Sequence, residues 1–448
     1  MDQIPTTADH AVSRDAAVQA QLDRLWSLSP GADVLGLDRI TRLLARLGDP
    51  HHALPPIFHV AGTNGKGSTC AFLRGALEAA GHRVHVYTSP HLVRFNERIR
   101  ITGRLIDDAA LAALLAEVLD QADGIGASFF EITTAAAFLA FARTPADACV
   151  IEVGLGGRLD ATNVLPAPIA CGIAALGIDH QAFLGDSLEK IAAEKAGIAK
   201  AGAPLVTMHY PPGIAAPIAR AAATCGAPWY ALDEAWRFTV AGDRLHYSDA
   251  VGALDLPLPA LPGAHQSANL ALAVAMLRHQ STVSVPASAI GVAATATRWP
   301  ARLQRLSSGP LTFGLGPVPV WLDGGHNPSA GQAIAASLAR LTDHAADRPL
   351  TVVLGMLANK DATGFLTPFA HAIGDLVAVP VPGHACHAPG GLLAVAARLG
   401  VPRCETAPDI PSALTLIAAR PTQPEAMLIA GSLYLAGEVL SANDEAPD

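Results

Sequence analysis

The stretch IFHVAGTNGKGSTCAF, residues 57–72, decides the fold, because a glycine-rich loop here joins a buried strand to a helix. The apolar run 57–61 predicts the strand. Residues 68–81 carry leucine and alanine at helical spacing and end in Gly81, which predicts a helix with a glycine cap. RVHVYT, residues 83–88, predicts the next strand. The loop therefore lies at the first turn of a βαβ unit, where a helix N-terminus can bind phosphate.

This loop departs from the usual phosphate-binding pattern, G-x-x-x-x-G-K-[ST]. Val60 stands where the first glycine belongs, and Gly67 stands where a hydroxyl should follow the lysine. The N–H groups freed by Gly65 and Gly67 can still surround phosphate oxygens, and Lys66 can neutralise their charge. A glycine-rich turn without a ligand is the alternative. A lysine between two glycines at a helix start favours nucleotide binding.

Composition predicts a globular cytoplasmic protein. The 448 residues are enough for two or three domains, and 51% are hydrophobic while 15% are charged. A net charge of -9 without a basic run argues against a nucleic-acid partner. The six cysteines show no paired metal spacing, which suits a reducing compartment. We find no signal peptide and no apolar run long enough to span a bilayer, so we expect no membrane partner.

Alternating strands and helices predict an α/β fold with a mainly parallel sheet. DACVIE, residues 147–152, reads as a strand that ends at Glu152, and residues 169–178 read as a strand followed by Asp179 and His180. Ligands gather at the carboxyl ends of parallel strands, so we expect these side chains near the glycine loop.

A second α/β domain is expected after a boundary near residue 298, which divides the chain into residues 1–297 and 298–448. The segment 204–260 is rich in proline and alanine and predicts no clear element. Strands and helices of the second domain are expected within four segments: 320–328, 350–357, 375–381 and 426–440.

Lys195 is predicted to point into the core. In the helical pattern of residues 187–202 it shares an apolar stripe with Ile191 and Ile198. A buried ammonium is costly unless it is paired or altered chemically. One interpretation is that it reaches a nearby carboxylate. The other is that its pKa is lowered and CO2 converts it to a carbamate, an anion that can help to bind metal.

Two strand-end residues are candidate metal ligands with equally ordinary alternatives. Glu152 can hold magnesium, or it can be a solvated strand-end carboxylate. A lone histidine such as His180 is more often structural than a ligand, and imidazole is a soft choice for magnesium.

Residues 128–131 also have a structural interpretation. Ser128 and Glu131 have capping-box spacing before an apolar helix. Phe129 and Phe130 can be core residues or can stack on an aromatic substrate. The residues alone favour the structural interpretation.

The second half of the chain offers further single-residue candidates. Asp323 and His326 follow a predicted strand in DGGHNP, and Arg302 follows the domain junction, where it can meet a phosphate across a cleft. Each can equally be an ordinary loop residue, and Asn269 can equally be a helix-start residue.

Taken together, these segments resemble the folylpolyglutamate synthase and dihydrofolate synthase family, which belongs to the Mur ligase superfamily. The resemblance extends in order from about Gly36 onward. The matching strings are HVAGTNGKGST (59–69), YTSPHLVRFNERI (87–99), FFEITTAAAF (129–138), IEVGLGGRLDATN (151–163), GIDHQAFLGDSLEKIAAEKAGI (177–198), WPARLQ (299–304), LDGGHNP (322–328) and LGMLANKDA (354–362).

The resemblance implies a Mur-ligase-like fold, with a phosphate-loop ATPase domain before a smaller Rossmann-like domain. It implies that ATP is contacted by Asn64, Gly65, Lys66, Gly67, Ser68, Asn269, Arg302 and Asp323, with His326 beside them. It implies magnesium ligands at Ser89, Glu152 and His180, and a carbamylated Lys195. It implies a pterin pocket from Gly36, Leu37, Asp38, Arg39, Ser128, Phe129, Phe130, Glu131, Leu159, Asp160 and Ala161, within stretches that include residues 33–39.

The chemistry implied by the resemblance is ATP-driven amide formation with magnesium. A carboxylate of 7,8-dihydropteroate or a reduced folate attacks the γ-phosphate, and the amine of L-glutamate attacks the acyl phosphate. Lys66 stabilises the transferred charge, Lys195 assists, and Asp323 and His326 are candidates for the base. A monomer is expected.

Three alternatives remain open at this point. The enzyme can have only one of the two activities. A cell-wall Mur ligase is disfavoured, because only 61 residues precede Gly62 and Gly67 replaces the threonine expected there. A nucleotide-switched ATPase explains the loop but not a second domain carrying Arg302, Asp323 and His326.

Overall fold

The computed structural model describes residues 12–28, 35–338 and 349–448. Its strands form three sheets, and the glycine loop lies in the largest, an eight-stranded sheet of order β4-β3-β2-β5-β1-β6-β7-β8. These strands are β1 (Ile57–Ala61), β2 (Val84–Tyr87), β3 (Ile99–Ile101), β4 (Arg104–Leu105), β5 (Ala148–Glu152), β6 (Ala170–Ile173), β7 (Leu205–Thr207) and β8 (Trp229–Ala231).

The predicted strand 57–61 is confirmed as the central strand β1. It pairs in parallel with β5 on one side and β6 on the other, so that Val60 lies opposite Glu152 and Gly172. All five residues of β1 are buried, as expected for a strand covered on both faces. The parallel order brings the carboxyl ends of β1, β2, β5 and β6 to one edge.

Helices cover both faces of this sheet. The helix Lys66–Ala79 begins two residues earlier than the pattern 68–81 predicts, directly after the glycine loop. The α-helices described before residue 298 are Ala16–Leu28, Asp38–Arg46, Lys66–Ala79, Asp108–Gln121, Phe129–Arg143, Gln181–Leu184, Leu188–Ala196, Pro212–Cys225, Ala264–Arg278 and Ala287–Ala296. Single 3-10 turns there are Pro50–His52, Phe95–Arg98 and Ala161–Val164.

The strand expected at residues 169–178 is shorter than predicted. β6 ends at Ile173, because the chain beyond it turns to meet the glycine loop. The Ala175 carbonyl accepts the N–H groups of Thr63 and Asn64, at 2.9 and 3.0 Å. Asp179 and His180 therefore lie in irregular chain after the strand and not at its last residues.

An antiparallel meander occupies part of the segment 204–260, for which the sequence predicted no clear element. It comprises β9 (Trp236–Ala241), β10 (Arg244–Asp249) and β11 (Gly252–Pro257). Trp236, Leu245 and Tyr247 are buried and join the core cluster that also holds Phe72 and Leu73 of the helix Lys66–Ala79. This meander therefore packs against the helices Ala264–Arg278 and Ala287–Ala296, which in turn contact the helix Lys66–Ala79.

The third sheet has six strands in the order β12-β13-β17-β14-β15-β16, and all its pairs except β12–β13 are parallel. Its strands are β12 (Gln304–Arg305), β13 (Val320–Asp323), β14 (Leu350–Leu354), β15 (Ile373–Ala378), β16 (Arg403–Thr406) and β17 (Met427–Ala430). The helices described with it are Pro328–Ala335, Ala362–Leu366, Pro389–Arg398, Ile410–Ala418 and Leu433–Ala442, with 3-10 turns Phe313–Leu315 and Ala370–Ala372.

The α/β fold with parallel-rich sheets is thus confirmed. The third sheet begins six residues after residue 298, and the boundary itself stays a prediction. Within the described ranges, no helix combines the length and apolar character needed to cross a membrane.

The two halves of the chain pack closely at Gly437. A Cβ atom at this position would overlap the Leu92 carbonyl oxygen, so only glycine lets the helix Leu433–Ala442 approach the segment after β2. We predict that Gly437→Ala lowers the free energy of unfolding by about 1–3 kcal/mol, because overpacking forces the main chain apart. The measurement is the midpoint of thermal unfolding.

Gly391→Ala is the matched control. Gly391 is also helical, and a Cβ there meets nothing within 4 Å. It should be neutral or slightly stabilising, since alanine is the better helix former. Equal midpoints for the two variants would show that the Gly437 contact is not a tight one.

Candidate functional site

The glycine loop presents free main-chain donors at a helix N-terminus. Gly65 has φ +87° and precedes a 14-residue helix, and no side chain caps that helix. The N–H groups of Thr63 and Asn64 are used by the Ala175 carbonyl, whereas the first turn of a helix leaves its N–H groups unpaired. Lys66 is the first helical residue. This arrangement fits an anion such as a phosphate.

The departures from the usual loop pattern have packing reasons. A Cβ at Gly67 would lie 2.7 Å from Nε1 of Trp299, so the indole occupies the space that a serine or threonine would need. A Cβ at Gly65 would overlap the side-chain amide of Asn269. Trp299 and Asn269 are therefore both in contact with the loop, and the ATP contact of Asn269 stays a prediction.

The three predicted metal ligands are Ser89, Glu152 and His180, and the metal site they would form stays a prediction. Glu152 is 5% exposed at the end of β5, and its carboxylate accepts the N–H of Ser89 at 3.3 Å. Burial raises the pKa of Glu152, and the charge of Lys66 opposes that shift. Burial lowers the pKa of His180 to about 4, so its ring is neutral and has a lone pair for a metal. Ser89 and Glu152 line the same cavity. A carboxylate, a hydroxyl and a neutral imidazole fit a divalent cation, although magnesium prefers oxygen.

Lys195 is buried, as its helical stripe predicted. Its side chain is 4% exposed, and Nζ donates to the Gly62 carbonyl at 2.8 Å. No carboxylate pairs with it within 4 Å in the described ranges, and Glu194 pairs instead with Arg158 at 2.9 Å. Burial, reinforced by the charge of Lys66, lowers the pKa of Lys195 to about 7. A large fraction of the amine is then neutral near pH 7, the form that reacts with CO2.

A buried ion pair joins the two halves of the chain beside this site. Lys360 Nζ lies 2.6 Å from Asp179, and the two side chains are 8% and 10% exposed. His326 Nε2 lies 3.4 Å from the same carboxylate. Although burial opposes ionisation, the hydrogen bond from His326 and the charges of His180 and Lys360 hold the pKa of Asp179 well below its usual range.

An amide pair extends this contact into the glycine loop. The side chains of Asn64 and Asn327 exchange hydrogen bonds of 3.1 and 3.0 Å, and Asn327 also donates to Asp179 at 3.2 Å. We did not single out Lys360 or Asn327 from the sequence. Lys360 follows the carboxyl end of β14, so the rule that ligands gather at strand ends could have identified it.

Asp323 and His326 are held by main-chain groups. The Asp323 carboxylate accepts the N–H groups of Leu303 at 2.8 Å and Gly325 at 2.7 Å, so both oxygens shape the loops around it. His326 Nδ1 lies 3.0 Å from the Gly324 carbonyl, which can only accept, so Nδ1 carries the proton. Nε2 faces Asp179. Both nitrogens of His326 and both oxygens of Asp323 therefore face a partner in this arrangement.

Arg302 lies near His265, a residue that the sequence did not single out. It donates to the Ala301 carbonyl at 2.9 Å, and its charge acts on both Glu152 and His265. Burial lowers the pKa of His265, with Asp323 opposing. Arg302 therefore lies between the metal candidates and the loops that hold Asp323.

The capping box at residues 128–131 is confirmed. The Ser128 hydroxyl accepts the Glu131 N–H at 3.3 Å, and the Glu131 carboxylate accepts the Ser128 N–H at 2.7 Å. Arg39 forms an ion pair with the same carboxylate at 2.9 Å. The structure thus brings Arg39, Ser128 and Glu131 together, in a local structural role.

The two phenylalanines differ in accessibility. Phe129 is 6% exposed and packs against Trp26 and Phe95 in the core. Phe130 is half-buried, and its ring lies against the main chain of Gly154, at the start of the loop after β5. Only Phe130 of this pair can offer a ring face to a ligand without repacking the core.

Most of the remaining residues predicted for the pterin pocket are buried or stabilise the local fold. Asp160 is 2% exposed and accepts the N–H groups of Leu155 and Thr162, so it shapes the loop 154–163. Burial raises its pKa. Ala161 is buried and Leu159 half-buried. Gly36 and Leu37 are partly buried, Asp38 is exposed at a helix start, and residues 33 and 34 lie outside the described ranges.

Comparison with known proteins identifies relatives along most of the chain. Residues 315–442 match the family described as "Dihydrofolate synthetase, C-terminal domain". The Escherichia coli (strain K12) dihydrofolate synthase/folylpolyglutamate synthase is 36% identical over 350 residues, which is 78% of each chain.

Solved structures of similar proteins share the fold. One is E. coli FolC in complex with DHPP and ADP, with a TM-score of 0.85 and 31% identity, covering 98% of this chain and 99% of that one. Another is a bifunctional folylpolyglutamate synthase/dihydrofolate synthase with Mn, AMPPNP and L-glutamate bound, with a TM-score of 0.82 and 32% identity, covering 96% and 99%.

The buried Asp179–Lys360 pair yields a prediction. We expect Lys360→Ala to lower kcat/KM for ATP by about 30-fold or more, because truncating one partner of a buried charge pair costs about 2–5 kcal/mol. Lys190→Ala is the control, since its ion pair with Asp186 is 63% and 78% exposed. The control should stay within about 2-fold. Steady-state kinetics of both variants gives the comparison, and similar losses would exclude a special role for Lys360.

Lys195 yields a second prediction. Lys195→Ala should lose most activity, and short carboxylates such as formate or acetate should restore part of it by supplying the missing anion. Lys200→Ala, in which a half-buried lysine contacts the Asn163 carbonyl, is the control that should show no such rescue. Full activity of Lys195→Ala without additives would refute the carbamate.

Proposed function

The chain belongs to the dihydrofolate synthase and folylpolyglutamate synthase family, and from this premise we propose that it joins L-glutamate to pterin and folate carboxylates at the expense of ATP. It is an ATP-dependent ligase of folate metabolism that forms C–N bonds. Its acceptors are 7,8-dihydropteroate, which becomes dihydrofolate, and reduced folates, whose glutamate tails are extended.

The observation that supports this function most directly is the enclosure of the glycine loop between the two halves of the chain. Asn64 of the loop bonds to Asn327 of the second half, and Asp179 pairs with Lys360 directly beside it. A ligase needs such an enclosure, because its acyl phosphate must meet an amine before water. A simple nucleotide switch has no such requirement, so that alternative is the weaker one.

Phosphate binding follows from the loop itself. The N–H groups of the first helical turn and Lys66 hold the β- and γ-phosphates. Asn269 and Arg302 also contact the nucleotide. Ser89, Glu152 and His180 would hold Mg²⁺, which supplies charge neutralisation on the phosphates when bound. Lys195, as a carbamate, would add an anion behind the Gly62 carbonyl.

The reaction then needs two displacements. A carboxylate oxygen of the acceptor attacks the γ-phosphorus and ADP leaves, while Lys66 stabilises the charge on the transferred group. The amine of L-glutamate then attacks the acyl carbon and loses a proton. Phosphate leaves with the bridging oxygen, which came from the acceptor carboxylate. Asp323 and His326 stay the two candidates for the base, and His326 can accept the proton only when its Nε2 does not donate to Asp179.

The pterin ring is proposed to bind next to Phe130. Arg39, Ser128 and Glu131 fix the start of this helix, and the loop that includes Leu159, Asp160 and Ala161 forms the opposite wall. Gly36, Leu37 and Asp38 would close the pocket.

Three further properties are proposed with the function. We expect the chain to act in the cytoplasm, to work as a monomer, and to divide near residue 298. The remaining alternative is an enzyme with only one of the two ligations.

Product analysis tests the proposed function. Purified protein with ATP, Mg²⁺ and L-glutamate should convert both 7,8-dihydropteroate and a monoglutamyl reduced folate to products one glutamyl unit heavier, read by mass. ATP turnover should require both the acceptor and glutamate. ATP hydrolysis at the same rate without either substrate would sink the ligase proposal, and one product alone would limit it to one activity.

Phe130 yields a further prediction. Phe130→Leu should raise KM for dihydropteroate by about 2- to 10-fold through lost stacking and leave KM for ATP unchanged. Phe313→Leu is the control, because Phe313 is 80% exposed. An equal change in both KM values would assign Phe130 a purely structural role.

A further inference from the structure

A cavity of about 280 Å³ lies between the helix Lys66–Ala79, strands β2–β4 and the segment 298–302. Four residues proposed for the nucleotide and the metal line one part of it: Gly67, Ser89, Glu152 and Arg302. Three arginines outside the proposed catalytic machinery line another part: Arg74, Arg100 and Arg298. We call the second part the arginine cavity.

The arginine cavity lies about two helical turns, or three strand residues, away from the residues proposed for phosphate and metal. Arg74 follows Gly67 by seven residues in one helix, or about 10 Å at the helical rise. Arg100 pairs with Val86, which precedes Ser89 by three residues, or about 10 Å along an extended chain. Two independent elements therefore place the main chain of Arg74 and of Arg100 at similar spacings from Gly67 and from Ser89.

Arg74 and Arg100 of the arginine cavity are both partly buried and close enough to repel each other, although Glu78, Asp448 and Glu97 oppose that repulsion. Burial, and then the charge of Arg74, lowers the pKa of Arg100 to about 10. Glu78 acts on both arginines but lies 3.8 Å from Arg74, and Glu97 accepts main-chain N–H groups with its carboxylate. In the described ranges, Arg74 Nε is buried without a hydrogen-bond partner. An additional anion would relieve this repulsion and satisfy that donor.

An acidic segment of the chain already places oxygens beside this cavity. The Pro447 carbonyl accepts a hydrogen bond from Arg94 at 2.9 Å, and the main-chain oxygen of Asp448 accepts one from Arg100. The Asp448 carboxylate lies 4.0 Å from Arg94. Pro447 and Asp448 both line the cavity, so a chain with oxygen acceptors and negative charge fits there.

We propose that the arginine cavity is a subsite for the carboxylates of a γ-glutamyl chain on a folate substrate, and that residues 447–448 compete for it. The inference rests on the proposed function, since each round of ligation adds one carboxylate to the chain. A short γ-glutamyl chain spans the distance from the reacting carboxylate to Arg74 and Arg100. The planar guanidinium group matches a carboxylate with two parallel hydrogen bonds.

Chain-length dependence of KM tests the subsite. The acceptors are 7,8-dihydropteroate and reduced folates with one or three γ-linked glutamates. Arg298→Gln and Arg74→Gln should each raise KM for the triglutamyl folate by about 10- to 100-fold, the loss expected for one charged hydrogen bond. KM for dihydropteroate, which has no glutamate, should stay within about 2-fold.

Arg143→Gln is the matched control, because Arg143 is exposed and pairs with Glu117 away from the cavity. Arg298 is itself exposed, and its Nη1 donates to the Thr295 and Thr297 carbonyls at 3.0 and 3.1 Å, so the thermal midpoint of its variant is measured as well. If both cavity variants show the chain-length dependence of the wild type, the subsite is wrong although the ligase activity stands. Absence of ligation in the wild type would refute the proposed function instead.

A binding measurement decides the subsite without turnover. Calorimetric titration with a γ-linked triglutamate peptide should show binding to the wild type and to Arg143→Gln, and weaker binding to Arg298→Gln. No binding to the wild type would overturn the proposal.

Competition by residues 447–448 has its own test. Arg94 contacts this segment but does not line the cavity. Arg94→Gln should release the segment and lower KM for the triglutamyl folate, the opposite of the change in Arg298→Gln. An unchanged or higher KM would show that the segment does not compete.

Discussion

The main chain of the glycine loop, residues 62–68, is the constraint on which the rest of the structure depends. The Ala175 carbonyl after β6 fixes its first N–H groups, and Lys195 donates to the Gly62 carbonyl. Asn269 and Trp299 pack against Gly65 and Gly67 so closely that no side chain would fit. Each of these contacts leaves the N–H groups of the following helical turn free for phosphate.

Burial shifts the ionisable groups around this loop toward their neutral forms. It raises the pKa of Glu152 and lowers the pKa values of His180 and Lys195. Asp179 stays ionised, because Lys360 and His326 from the second half of the chain meet its carboxylate. The Asp179–Lys360 ion pair therefore spans the two halves of the chain. Phosphates and a divalent cation bring charge to a site in which burial disfavours the charged forms of Glu152, His180 and Lys195.

Local patterns in the sequence were sufficient to predict the parts of the site that depend on residues close together in the chain. The apolar run 57–61, the capping box at Ser128 and the inward stripe of Lys195 each follow from a short period, and the structure has all three. The contacts of Lys360 and Asn327 could not be predicted in this way, because their partners lie more than 140 residues away in the chain. The meander 236–257 was missed, since its strands are largely exposed and lack a continuous apolar face. The early end of β6 depends on the Ala175 carbonyl, whose acceptor role no local pattern indicates.

The central claim is that this enclosed phosphate site activates a carboxylate by phosphoryl transfer. Isotope transfer tests it most directly, with 7,8-dihydropteroate labelled by ¹⁸O in its carboxylate and turned over with ATP and L-glutamate. An acyl phosphate requires that one labelled oxygen enter the inorganic phosphate for each amide formed. We predict this oxygen transfer for the wild type. Amide formed together with unlabelled phosphate would contradict the account.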